Sequence, residues 1–314
     1  MAAKERLFSG IQPSGTLHIG NYFGALKQWV DMMQKYDCLF CIVDYHALTT
    51  VRDPALLRTN TTEGVKDLLA IGIDPAKCIL FKQSDVQEHP ELAWIFECLV
   101  TVPFLMQAHA YKDKTAKGIE ATAGLFNYPM LMAADILLYD TDIVPVGEDQ
   151  RQHIEYAREA AAKFNGAFGE TFKEPKEMIL RDVGVVPGTD GKKMSKSYGN
   201  TIPLFGTKYE ITKAVMSIVT DSAAESPINV YAIHALFRDR EYLSNLYKTN
   251  KGKYKVLKEA LIEDIEALVG PMRAQREAIS DDDVKRILKE GAAKARALAS
   301  TKMAEVRQKV GVSL

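Results

Sequence analysis

Two stretches of this chain carry groups suited to handling phosphate. The first is PSGTLHIGN, residues 13–21. Pro13, Ser14 and Gly15 make a tight turn, and Gly20 lets backbone come close to a ligand. A helix starting there would offer free N–H groups and its positive dipole end, with His18 adding a side-chain donor at the same mouth. The second is GTDGKKMSKSYGN, residues 188–200, in which Lys192, Lys193, Ser195, Lys196 and Ser197 lie between glycine-bearing turns. A flexible cationic loop of this kind can wrap charge that develops on a triphosphate. Each stretch alone also reads as an ordinary turn or a solvated surface loop; the pair points to phosphate chemistry.

A third feature is an acid in apolar company. Asp135 is the only acidic residue of LFNYPMLMAADILLY, residues 125–139. Tyr128, Met132 and Asp135 are spaced by four and three, which places them on one face of a helix. A buried carboxylate needs hydrogen-bond partners, and methionine makes an adaptable wall against an aromatic ring. The plainer alternative is a capping or surface aspartate.

The elements that must hold these groups alternate between strand and helix. Arg6–Ile11 reads as a strand, Tyr22–Met33 as a helix and Cys38–Leu48 as a buried strand. Pro54–Ile71 opens with proline and closes near Gly72, as a helix does. Cys78–Gln83 is a third strand, followed by helical stretches around 91–109 and Leu125–Tyr139, a short strand Ile143–Val146, and a helix Glu148–Phe164. Alternation with continuous apolar strands predicts an α/β fold, a Rossmann-like parallel sheet covered on both faces that binds ligand beyond the carboxyl ends of its strands. After about Pro203 amphipathic helical patterns dominate, at 207–219, 230–248, 254–269 and 282–310. The Lys-, Ala- and Thr-rich stretch 110–124 reads as a mobile loop.

Composition narrows the class. With 314 residues, 47% hydrophobic and 26% charged, the chain is enzyme-sized and globular, most simply two domains. No apolar run reaches the ~18 residues of a membrane span, and MAAKERLFSG lacks the apolar core of a signal peptide, so the expected address is the cytoplasm. Forty basic against forty-one acidic side chains leave any RNA contact to local patches. Two such patches are basic: Lys248, Lys251, Lys253, Lys255 and Lys258, and the run from Lys285 to Lys309, where Glu290 and Glu305 are the only acids. They equally describe solvated helix faces. Cys38 and Cys41 form a C-x-x-C that invites a metal or redox reading. On a strand, however, their odd separation sends the thiols to opposite faces, and no metal is expected.

PSGTLHIGN followed by KMSKS at 193–197 resembles the motif pair of class I aminoacyl-tRNA synthetases. FSGIQPSGTLHIGN, CIVDYHALT, YPMLMAADILLYDTDIVPVGEDQRQHIEYAREAA and GKKMSKSYGN are closer still to the tryptophanyl branch of that family, in order and spacing, over nearly the whole chain. Asn21 stands where the family's nominal second histidine falls, and an amide still donates to phosphate oxygen.

The resemblance implies an ATP site of Gln12, Pro13, Ser14, His18, Gly20 and Asn21. Gly147, Glu148 and Asp149 would face the ribose, and Val185 or Val186 the adenine. From the second loop it implies Lys193, Met194, Ser195, Lys196 and Ser197, with Lys193, Lys196 and Lys114 holding departing pyrophosphate beside His18 and Asn21. The amino-acid pocket would comprise Phe8, Gly10, His46, Tyr128, Met132, Asp135, Val144, Val146 and Gln150, with Asp135 accepting an indole N–H.

Also implied are Mg2+ with ATP, L-tryptophan and tRNA(Trp) as partners, a homodimer, a catalytic domain over 1–203 open to completion by C-terminal helices, and an anticodon-binding helical region over 204–314. The rivals are a tyrosyl-tRNA synthetase, against which Met132 speaks because that family usually has glutamine there, a small-metabolite nucleotidyltransferase, and a silent RNA-binding paralogue, which should have lost lysines or the pocket acid.

Overall fold

Five strands form one sheet, all parallel, in the order β3-β2-β1-β4-β5: Arg6–Ile11 (β1), Asp37–Ile42 (β2), Cys78–Lys82 (β3), Ile143–Val146 (β4) and Lys176–Ile179 (β5). The computed structural model describes residues 4–108, 111–112, 122–147, 151–179, 186–220 and 227–313. The central strand β1 runs in register with β2, Arg6 opposite Asp37 through Ile11 opposite Ile42. Its pairing with β4 is at Leu7 opposite Ile143, and beyond that point the strand order reverses. That reversal creates a crevice at the carboxyl ends, where such sheets receive ligands.

The centre of the sheet is buried on both faces, which explains why β2, β3 and β4 read as near-continuous apolar runs rather than alternating. In β2, Cys38, Phe40 and Ile42 enter one core layer, and Leu39 and Cys41 the other. The two cysteines thus face apart, and burial, seconded by Asp37, pushes the Cys38 thiol up to about 12.

Several boundaries differ from the sequence reading. The strand expected over Cys38–Leu48 ends at Ile42 and gives way to a short helix, Asp44–Ala47. Asp44 accepts hydrogen bonds from the Ser84 N–H (2.9 Å) and hydroxyl (2.5 Å), which ties this turn to the end of β3. An unbroken apolar run has no period from which to read that change. The first helix begins earlier, at Ile19, and passes through a π-helical turn, Tyr22–Leu26, before Lys27–Met32. The stretch 230–248 is two helices, Ile228–His234 and Arg240–Thr249, because Asp239 caps the second. Strand β5, the short edge sequence KEMI, was not anticipated.

The chain's last two helices come back onto the sheet layers. Tyr254–Glu277 is tied to helix Pro54–Ala70 by Arg276, which holds Asp67 (2.5 Å) and Glu63 (2.6 Å). Asp281–Val310 covers the exposed edge of β3. It fits because Gly291 has no side chain: a Cβ there would lie 1.8 Å from the Leu80 carbonyl oxygen. Val284 and Leu288 join one core layer, and Ala295, Ala299, Met303 and Val306 the other.

This docking also corrects the expectation of uncovered basic helices. Arg307 forks onto Glu91 (2.7 and 2.5 Å), Lys302 reaches Asp140 (2.8 Å), and Arg286 meets Asp283 and Glu290. Lys258 is buried and donates to the carbonyls of Met216 and Ile218 (2.8 and 2.7 Å). Apart from Glu290, which lies within the run itself, these partners lie on other elements or just before it, which a tally over a linear segment does not register.

Candidate active site

A cavity of about 350 Å³ opens where β1 and β4 part. Its walls include Phe8 and Gly10 from β1, Val144 and Val146 from β4, His46 from the Asp44–Ala47 turn, and Tyr128, Met132 and Asp135 from helix Ala123–Leu137. These are the predicted pocket residues apart from Gln150, which lies outside the described residues. Gly10 is required by close approach, since a Cβ would meet Val43 at 2.9 Å.

The structure adds Ser9, Ile11, Val43, Ile136, Pro145, His153 and Ile154, and puts Gln12 in the same wall. His153 faces Tyr128, its Nε2 3.2 Å from the hydroxyl. It went unread because a lone histidine at the start of an amphipathic helix carries no spacing signal.

Asp135 is fully buried at this cavity and is well supplied with donors. His46 Nε2 lies 2.9 Å from Oδ2, and the Gln83 amide nitrogen straddles both oxygens at 2.7 and 2.9 Å. His89 Nδ1 lies 2.6 Å from Oδ1, in ion-pair range but angled away from a straight hydrogen bond. Burial by itself would push this carboxyl up; the opposing pull of His89 and His46 wins and holds it at about 2. The need for partners anticipated for a buried acid is therefore met first by the protein, through two residues, Gln83 and His89, that sequence reading missed. Nothing in the spacing of positions 83, 89 and 135 announces that they meet.

The second half of the site adjoins the carboxyl end of β1. Gly15 has φ +95°, the left-handed region, which fixes the turn after Ser14. His18 and Asn21 close the following helix start reciprocally: the Asn21 side-chain oxygen accepts from the His18 N–H (3.1 Å), and the His18 carbonyl from the Asn21 N–H (2.9 Å). The loop of residues 186–203 docks on this turn. Leu204 N–H donates to the Leu17 carbonyl (2.9 Å) and Ile19 N–H to that of Ile202 (3.0 Å), with His18 opposite Pro203. Met194 is buried against Gly20, where a Cβ would stand 3.3 Å from that of Met194.

Inside the loop, buried Asn200 is the tie. Its side-chain oxygen accepts from Ser195 N–H (2.8 Å), and its amide donates to Asp190 (2.7 Å) and the Lys193 carbonyl (3.1 Å). Buried Val186 pairs its carbonyl with Met194 N–H (2.8 Å). Lys196 Nζ reaches the Ser14 carbonyl (3.1 Å), while Lys193 and Ser197 are exposed and Gly147 is half-buried just after β4. Burial, and behind it the charge of Lys196, lower His18 to about 4, so its imidazole is neutral at pH 7. Its Nδ1 is buried without a hydrogen-bond partner. Burial likewise lowers Lys196. Lys114, Glu148, Asp149 and Val185 lie outside the described residues. Among the described residues no cluster of His, Cys, Asp or Glu is arranged to hold a metal ion.

A parallel sheet in this order, with a phosphate-type turn after β1 and a lysine loop docked on it, is the arrangement of class I synthetases, which use a nucleotide to activate a carboxylate. The family described as tRNA synthetases class I (W and Y) matches residues 2–288, and the chain belongs to it. It is similar to the tryptophan–tRNA ligase of Fusobacterium nucleatum, 48% identical over 98% of both chains. It also resembles the crystal structure of tryptophanyl-tRNA synthetase from Campylobacter jejuni complexed with ADP and tryptophan, with a TM-score of 0.93 at 44% identity, covering 98% of this chain and 99% of that one. The Mycoplasma pneumoniae tryptophanyl-tRNA synthetase structure superposes with a TM-score of 0.85 at 32% identity, covering 98% of each.

Proposed function

We infer that this chain is a tryptophan–tRNA ligase, which joins L-tryptophan to ATP as tryptophanyl-adenylate and then transfers it to the 3′ end of tRNA(Trp). The observation that carries this reading is the adjacency of the two half-sites: an apolar cavity with one ionised acid opens beside the turn on which the lysine loop rests. The indole fills the cavity, its N–H pointing at Asp135 and its ring lying against Met132 and Phe8. Tyr128 and Gln150 serve the α-amino group. ATP enters as its Mg2+ complex, along Gln12, Pro13 and Ser14, with its phosphates at His18, Gly20 and Asn21. Gly147, Glu148 and Asp149 receive the ribose, and backbone at Val185 or Val186 the adenine.

The tryptophan carboxylate attacks the α-phosphorus in line; the new O–P bond forms as the bond to pyrophosphate breaks. No covalent enzyme intermediate is needed, and the protein's work is positioning and charge stabilisation. Neutral His18 can donate one N–H without adding to the positive charge of the loop. Lys193, Lys196 and Lys114 hold pyrophosphate as it leaves.

We also place the catalytic unit at 1–203, completed by the returning C-terminal helices, and an anticodon-reading surface within 204–314. A homodimer suits the exposed apolar residues Trp94 on helix Glu88–Glu97, Val102 on helix Val102–Leu105 and Met106 at that helix's C-cap. Among the described residues no helix is long and apolar enough to cross a membrane, and the reading puts the enzyme in the cytoplasm with its tRNA. Charging of a tRNA(Trp) transcript with labelled tryptophan, ATP and Mg2+ tests the reading directly. Charging of tRNA(Tyr) with tyrosine instead would overturn it.

A further inference from the structure

Behind the cavity, on the side of Asp135 away from it, lies a buried polar chain that belongs to no ligand contact. His89 is completely buried and absent from the cavity wall. Its Nδ1 stands 2.6 Å from Asp135 Oδ1, and its Nε2 lies 2.7 Å from the hydroxyl of Tyr139, itself buried. With its proton on Nδ1 the imidazole turns an N–H toward the carboxylate, off the straight line, and leaves Nε2 to accept from the Tyr139 hydroxyl. Gln83 is fixed just as firmly. Its side-chain oxygen accepts the Tyr45 N–H (3.1 Å), so only its NH2 can face Asp135.

An ionised carboxylate offers about four acceptor directions. Gln83 spans both oxygens, His46 Nε2 stands at Oδ2 and His89 Nδ1 at Oδ1, so each oxygen is approached twice from the protein. The carboxylate is thereby held in one orientation at the cavity wall.

We infer that His89, locked by Tyr139, is a specificity-determining positioning residue: standing against Oδ1 from the rear, it keeps the Asp135 carboxylate in one orientation at the cavity wall, selecting a ring that brings an N–H donor. This rests on the reading of Asp135 as the indole acceptor. If His89 loses its donor, the carboxylate gains freedom to rotate or to bind a proton. It then no longer penalises a ring without an N–H.

The test compares kcat/KM in ATP–pyrophosphate exchange for L-tryptophan and for its benzothienyl analogue, in which sulfur replaces the indole N–H. In His89→Leu the preference for tryptophan falls tenfold or more while KM for ATP holds. His89→Asn, whose amide nitrogen can stand where Nδ1 stood, restores most of it. Asp135→Asn is measured alongside. If Asp135→Asn abolishes the preference but His89→Leu retains it, Asp135 is the acceptor and His89 is mere packing, so the inference is wrong while the function stands. If Asp135→Asn keeps the wild-type preference, the acceptor reading falls and the inference with it. Should His89→Leu fail to fold, Tyr139→Phe decides, because without the hydroxyl nothing fixes the tautomer. A severalfold drop in preference supports the inference, and an unchanged preference rejects it.

Discussion

Lys196 Nζ lies 3.1 Å from the carbonyl oxygen of Ser14, although 182 residues separate the two in sequence. This contact seats the lysine loop on the phosphate turn, and Asn200 fastens the loop from within. An ammonium so placed is poised for charge that grows on the triphosphate during reaction. Lys196→Ala and Lys193→Ala should each lower kcat on the order of a hundredfold, while KM for tryptophan changes little. A raised tryptophan KM at constant kcat would show instead that the lysines bind ground-state substrate.

His18 provides a pH signature. Its pKa of about 4 in the folded protein lies below the 6.5 of an exposed histidine, burial being the chief cause. Between those values the unfolded chain binds more protons at this position than the folded one. Stability is therefore full above about pH 6.5 and falls as pH drops toward 4. Urea unfolding should show a steeper loss between pH 7 and 4.5 in wild type than in His18→Gln. Equal slopes would mean that His18 is not held neutral.

Much of this was legible in the sequence because the signals were local. β1, β3, β4 and helix Pro54–Ala70 fall where apolar runs, Pro54 and Gly72 put them. Tyr128, Met132 and Asp135 share a face because helical period dictates it. What escaped depended on contacts distant in sequence. Gln83 and His89 reach Asp135 only through packing of two chain segments, and the bend at Asp44 depends on Ser84. Arg307 and Lys302 of the last helix look unpaired along the chain and meet Glu91 and Asp140 only in space.

Gly291 tests the docking of that last helix. Alanine there would drive a methyl group onto the Leu80 carbonyl, and overpacking of this kind should cost at least about 2 kcal/mol of stability. Gly64, on helix Pro54–Ala70, has open space around its Cβ direction. Gly64→Ala should instead stabilise by about 0.5–1 kcal/mol through helix propensity. Chemical denaturation of both variants checks the contrast; similar effects of the two would argue against the close approach at β3.

Asp135→Asn keeps the shape of the acid but turns one acceptor oxygen into a donor, which must then face His46, His89, Gln83 or the ligand. A hydrogen bond to a charged group is worth about 1.5–3 kcal/mol, so kcat/KM for tryptophan should fall on the order of tenfold to a hundredfold or more. KM for ATP should hardly move. Steady-state kinetics with each substrate varied in turn would expose a shared loss, which would point to general disruption of the site.

The central claim is that this one chain activates tryptophan through the pocket at Asp135 and the turn at His18. ATP–pyrophosphate exchange with purified protein, Mg2+ and each of the twenty amino acids in turn, without tRNA, measures it most directly. Exchange should depend on L-tryptophan, with tyrosine and the other eighteen near background. Exchange driven by tyrosine, or by no amino acid at all, would contradict it.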